Sequence, residues 1–152
     1  MSIESALFAY LTDVSSATAA IAKDRVYPLL IPEDVNLPAV AYQRVGGGAE
    51  MDNNGANGFR RAQLQITCQG AGWEDAPADT PLTGSEVRQS YGTAKALALA
   101  VIQDLHGIRK VIGATGNQVM VFYCALTNEV DGDEITAAAF VRCDFSVLYQ
   151  EV

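Results

Sequence analysis

A chain of 152 residues and 16.2 kDa is the size of one domain, and a fold of that size buries roughly 68–70% of the surface its unfolded chain exposes. Its 10 basic and 18 acidic residues leave a net charge of -8, which argues against sequence-specific binding to nucleic acid, because phosphate contacts need clustered Lys and Arg. Charged residues, at 18%, fall below the usual quarter and point to surface buried against other subunits.

Hydrophobic residues reach 49%, but 23 of them are alanine and aromatics make up only 8%, so a core of Ala, Val, Leu and Ile with few large anchors is expected. Cys68, Cys124 and Cys143 are far apart, each within an apolar run. They read as buried free thiols in a reducing compartment, neither a disulfide ladder nor zinc knuckles. The opening Met1-Ser2-Ile3-Glu4 lacks a basic region followed by an apolar stretch, and no window approaches the ~18 uninterrupted apolar residues of a membrane span. A soluble chain made in a cytoplasm, with no membrane partner, is expected.

In chain order, Ile3, Leu7, Tyr10 and Leu11 fall at helical spacing behind the cap Ser2, predicting a helix over 2–12 with Glu4 in its first turn. An Ala-rich stretch, 15–22, predicts a second short helix. Arg25-Val26-Tyr27-Pro28 and Ile31-Pro32 then read as an edge strand and a loop. Leu37 to Val45 and Phe59 to Cys68 predict two strands; in the second, Ala62, Leu64, Ile66 and Cys68 alternate with Arg61, Gln63, Gln65 and Thr67. The glycine-rich segment from Gly46 to Gly58 reads as a mobile projecting loop.

The stretch from Gly70 to Thr83 reads as irregular, with Trp73 on a loop, and leads into a helix over 84–105 capped by Thr83 or Ser85. On that helix Val87, Tyr91, Ala94, Ala98, Val101 and Leu105 form one stripe, and Gly107 supplies the stop. Strands over 118–129 and 135–149 follow, joined through Val130-Asp131-Gly132-Asp133-Glu134, where Asp-Gly signals a turn. The plan is α+β: a single domain over residues 1–152, an antiparallel sheet of strands of mixed length with helices packed on one face.

No catalytic set emerges. His106 is the only histidine, and its place at a helix end beside Gly107 reads as a C-terminal cap. Asp131-Gly132-Asp133-Glu134 lacks the ligand spacing of a calcium loop. Gly46-Gly47-Gly48 and Gly113-Ala114-Thr115-Gly116 lack the context of a phosphate loop and read as turns. Glu74 and Asp75 are adjacent on a loop and lack the fixed geometry of acid-base chemistry. Neither a metal site nor a cofactor is expected, and the chain reads as a non-enzyme.

Ile3-Glu4-Ser5-Ala6-Leu7-Phe8-Ala9-Tyr10-Leu11, Asp24-Arg25-Val26-Tyr27-Pro28, Leu37-Pro38-Ala39-Val40-Ala41-Tyr42, Gln63-Leu64-Gln65-Ile66-Thr67-Cys68 and Arg142-Cys143-Asp144-Phe145-Ser146-Val147 with Tyr149 follow one another in a telling order. In that order they resemble small phage tail completion proteins, the tail terminators of long-tailed phages. The resemblance spans nearly the whole chain; the Gly46–Gly58 and Gly70–Thr83 segments depart from it.

The resemblance implies a structural virion protein, assembled in the bacterial host cytoplasm. It would form a homo-oligomeric ring, commonly a hexamer, that caps the head-proximal end of the tail tube, stops its polymerisation and offers the head-joining surface. Its partners would be copies of itself, the tail tube protein and a head-side connector or stopper, with genome DNA passing through the ring without specific binding. No residue-level site comes with it. From the residues themselves, the expected contacts are Met51 and Asp52 on the glycine-rich segment, Arg60 and Arg61, and Trp73. Asp131, Asp133 and Glu134 are the expected lumen or surface acids, where carboxylates would repel DNA. Solvated edge-strand charge is the alternative for the two arginines. For the whole chain, the alternatives are a head-side adaptor or stopper, and a small α+β enzyme or ligand-binding domain with a pocket near Asp144, Arg142 and His106.

Overall fold

The computed structural model describes residues 2–70, 84–133 and 139–152, with the side chains at 52, 84–87 and 133 outside the description. Helix α1 (Ile3–Leu11) starts where expected: Ser2 is extended and its hydroxyl accepts the Ser5 N–H, satisfying a donor that the first helical turn leaves open. Helix α2 (Ala17–Ala22) is capped in the same way by Ser16, whose hydroxyl accepts from Ala19. Strand β1 (Val26–Pro28) lies at the sheet edge, as the prolines suggested, but runs parallel to its neighbour.

The long strands are β2 (Ala39–Asp52), β3 (Gly55–Gln69), β5 (Val119–Asp133) and β6 (Ala139–Glu151), with a short β4 (Lys110–Ile112) and the long helix α3 (Gly84–Leu105). The sheet order is β1-β2-β3-β6-β5-β4, antiparallel except at β1. Alternation fixes its two faces. Ala62, Leu64, Ile66 and Cys68 of β3 and Val141, Cys143, Phe145, Val147 and Tyr149 of β6 are buried on one side, and the residues between them are more exposed. α3 crosses this inner face over β3 and β6, α1 covers its β1 and β4 ends, and α2 packs on α3.

Two expected loops are strand. The Gly46–Gly58 segment is a paired arm: β2 and β3 stay in register to Asp52↔Gly55 and reverse through Asn53 and Asn54, with bulges between Arg44 and Gly46 and between Ala49 and Met51. Gly55, the first residue after the two-residue loop, holds a φ of +109° that glycine adopts freely. The reversal expected at Asp131-Gly132 does not occur there either. β5 continues through Asp131↔Val141, Gly132↔Phe140 and Asp133↔Ala139. A Cβ at 132 would stand 2.7 Å from the tip of the Phe140 ring, so a larger residue there would push that ring aside.

On α3 the buried stripe is Ser90, Ala94, Leu97, Ala98, Val101 and Leu105, while Tyr91 is exposed. Asp104, 9% exposed, was not anticipated. One of its carboxylate oxygens accepts Ala17 N–H at 2.9 Å, and the other accepts Thr18 N–H at 2.8 Å and the Thr18 hydroxyl at 2.6 Å. Thus α3 supplies a charged acceptor to the open N–H groups of α2, and charge-assisted bonds of this kind are about twice as strong as neutral ones. The Tyr10 hydroxyl donates to the Asp104 carbonyl, tying α1 to the same turn.

Two predictions follow from this packing. Asp104→Ala lowers unfolding stability by about 2–3 kcal/mol in urea titration, and Asp104→Asn, which keeps one acceptor, loses less. The second concerns Cys124 and Cys143, which burial pushes from the ordinary 9.0 up to about 12. The unfolded chain ionises these thiols first, so their contribution is intact below pH 9 and lost as pH rises toward 12. Urea midpoints between pH 8 and 11 should therefore fall more steeply for the native chain than for a Cys124→Ala, Cys143→Ala variant.

Candidate functional site

The features able to meet a partner are the β2–β3 arm, the outer face of the sheet and the sheet's two lateral ends. The arm exists because β2 and β3 outrun their neighbours: β1 pairs only with Val40 to Tyr42, and β6 accompanies β3 only from Phe59 onward. Met51 lies near its tip, 73% exposed. Arg61 and Glu50 form a 2.5 Å ion pair across the arm, and Arg60 lies 3.7 Å from Glu151 of β6. Both arginines therefore have partners in their own chain, and β3 is an interior strand, so they are not edge-strand charges. For Asp52 the description covers the backbone alone, and Trp73 lies outside the described residues.

The expected acidic group divides in a similar way. Glu134 lies outside the described residues, and Asp133 is described only by its backbone. Asp131 faces the helices. A register shift between Leu126 and Asn128 places Glu129 opposite Cys143 and Asp131 opposite Val141, both inner-face residues. Lys95 of α3 donates to Glu129 and to Asp131, and the Tyr91 hydroxyl donates to Asp131 at 2.8 Å. The Glu129 hydrogen bond raises the Lys95 pKa, and the Tyr91 hydrogen bond lowers that of Asp131. Asp131 is thus a tether between α3 and β5, sharing the Lys95 ammonium with Glu129.

The outer face carries Gln43, Gln63, Gln65, Thr67 and Ser146 toward its middle, where Gln43 donates to Gln65 at 3.0 Å. Toward one end it becomes apolar: Phe59 meets Phe122 edge-on with centroids 5.1 Å apart, beside Leu148 and an exposed Tyr123. Arg142 and Asp144 are neighbours on this face at 3.6 Å. His106 caps in an unexpected sense: its Nδ1 accepts the Leu126 N–H at 3.1 Å while Gly107 N–H donates to the Cys124 carbonyl, so the end of α3 satisfies the edge of β5. None of these three residues lines the apolar void beneath α1. The internal void bounded by Ile3, Leu7, Leu105, Ile112, Val121 and Val147 measures about 10 Å³, room for one water, and its lining is apolar.

Among the described residues, no group of three His, Cys, Asp or Glu is placed to hold a metal ion, and no helix is long and apolar enough to cross a membrane. No family model matches the chain, and neither does any curated protein. A solved structure does. The chain is similar to a chain of the "Virion of native gene transfer agent (GTA) particle", with a TM-score of 0.67 and 17% identity over 97% of this chain and 94% of that one. The two share a fold.

Sequence reasoning found the β1 edge but not the β4 strand, and singled out neither end as a contact surface. Leu29 and Leu30, 71% and 66% exposed, follow β1, and Arg109, Lys110 and Val111 are exposed at β4. Only the strand order makes these segments opposite ends of one surface. The arm itself depends on Gly47, whose φ of +129° belongs to glycine and whose Cβ would stand 2.1 Å from the Arg61 carbonyl oxygen. Gly47→Ala should cost about 2 kcal/mol or more, read as a lower urea midpoint, with exchange protection lost first in residues 46–63.

Proposed function

We propose that this chain is a structural virion protein that forms a ring on the head-proximal end of a phage-like tail tube. The observation that carries the reading is a fold shared, over nearly its whole length, with a chain of a gene transfer agent virion. The order of sequence segments resembling tail completion proteins supports it independently. The ring, hexameric by that resemblance, acts sterically. Copies meet head to tail, as closed rings require, and the tube-facing surface occupies the site the next tube ring would need. Growth stops, and the opposite surface receives the head-side connector. Chemistry is not needed for this role, so the chain works as one unit over residues 1–152 without catalytic residues or a cofactor. The net charge of -8 disfavours adhesion of DNA sliding through the ring.

The decisive experiment mixes the purified protein with polymerising tail tube protein and measures tube length by negative-stain microscopy. Tubes that stop lengthening and carry a ring at one end are the expected result. Uncapped tubes combined with binding to the portal complex would instead assign the chain to the head-side adaptor or stopper position. Binding to neither would overturn the virion role.

A further inference from the structure

The six-stranded sheet ends laterally in β1 and β4, each pairing through only three residues. Their outer sides have no strand neighbour among the described residues. Such edges invite pairing with another chain unless they are covered. The segment that follows β1 exposes apolar and acidic side chains, whereas Lys23 and Arg25 stand before the strand. Leu29 has a φ of +68° and donates its N–H to the Tyr42 carbonyl, which fixes the backbone of a leucine that is 71% exposed, and Leu30 beside it is 66% exposed. Glu33 and Asp34 follow, exposed and without an ion pair among the described residues.

The β4 end exposes basic and apolar side chains, with the Asp13 carboxylate within electrostatic reach of Lys110. Arg109 is exposed and has no ion pair among the described residues; Lys110 lies over the Tyr10 ring at 4.4 Å from its centroid; Val111 is 45% exposed. We infer that the β1 end of one copy docks on the β4 end of the next, with Glu33 and Asp34 facing Arg109 and Lys110 and with Leu29 and Leu30 covered against Val111.

The occupant is a second copy because the exposed acids that follow β1 and the exposed bases at β4 are complementary in charge and both ends expose apolar side chains. Copies that each carry -8 repel one another overall, so their association needs local opposite charge. Like ends brought together would oppose carboxylate to carboxylate or cation to cation. The contact is therefore heterologous, the kind that generates a ring when its rotation closes. This inference rests on the ring reading above and names the surface that builds the ring.

The test uses the full chain, mixed as isotopically light and heavy copies and coupled with a water-soluble carbodiimide, which joins a carboxylate to an amine in contact with it. The expected product is a light–heavy crosslink between the Glu33–Asp34 peptide and Lys110, growing with protein concentration. In sedimentation, Glu33→Lys with Asp34→Lys should weaken self-association at least about tenfold, and so should Arg109→Glu with Lys110→Glu. Combining all four substitutions should restore it, with circular dichroism confirming the fold of each variant. Crosslinks joining other surfaces, a combined variant no better than the double variants, or a native chain that stays monomeric even on tubes would overturn the contact. Tube capping is read separately. Capped tubes with crosslinks elsewhere leave the tail-end reading standing and reject this interface, whereas the predicted crosslink in a protein that caps no tube does the reverse.

Discussion

Everything in this molecule depends on covering one apolar face of a twisted sheet with a sequence poor in large side chains. The inner face of β3 and β6 presents Ala62, Leu64, Ile66, Val141, Phe145 and Val147, which must leave water to give the chain its stability. Small residues on α3, such as Ala94 and Ala98, are fully buried, and they let the helix lie close to the strands. Close approach compensates for modest side-chain volume, because packed interiors gain from contact density as well as from area.

That arrangement leaves polar work at the seams. Asp104 and Ser90 sit on the buried side of α3, and both serve backbone groups: Asp104 caps α2, and the Ser90 hydroxyl accepts the Ala139 N–H at the start of β6. The β5 edge, which no longer strand covers beyond β4, is met by His106 and Gly107. In each case a side chain or backbone group from the helix replaces water for a donor or acceptor of another element, as nearly every buried backbone group requires.

With one face covered by helices and one open, the sheet presents a broad surface to its surroundings. Exposed apolar side chains include Met51 on the arm, Leu29 and Leu30 at the β1 end and Val111 and Tyr123 toward the β4–β5 side, while Arg60, Arg61 and Lys95 stand in ion pairs. The void beneath α1, with its wholly apolar lining, offers no polar group to orient a substrate.

The alternation in β3 and β6, the cap Ser2, the extent of α3 and the burial of all three cysteines were legible in the sequence, because each depends on side chains close together along the chain, whereas the Ser16 cap was not named. Among the candidate contacts, Met51 was legible as exposed. The pairing of Arg61 with Glu50 and of Lys95 with Asp131 was not. Neither was the continuation of strands through Gly46–Asp52 and Asp131–Asp133, where local turn signals were overruled by cross-strand register: a glycine-rich arm gains its ladder only when β2 and β3 meet, and Asp131–Asp133 gain theirs only when β6 lies beside them. The sequence by itself determined which residues seek burial and where helices begin. Tertiary structure alone decided the strand order, and with it which face stays open and which segments form the two ends, because those follow from contacts between residues far apart in the chain.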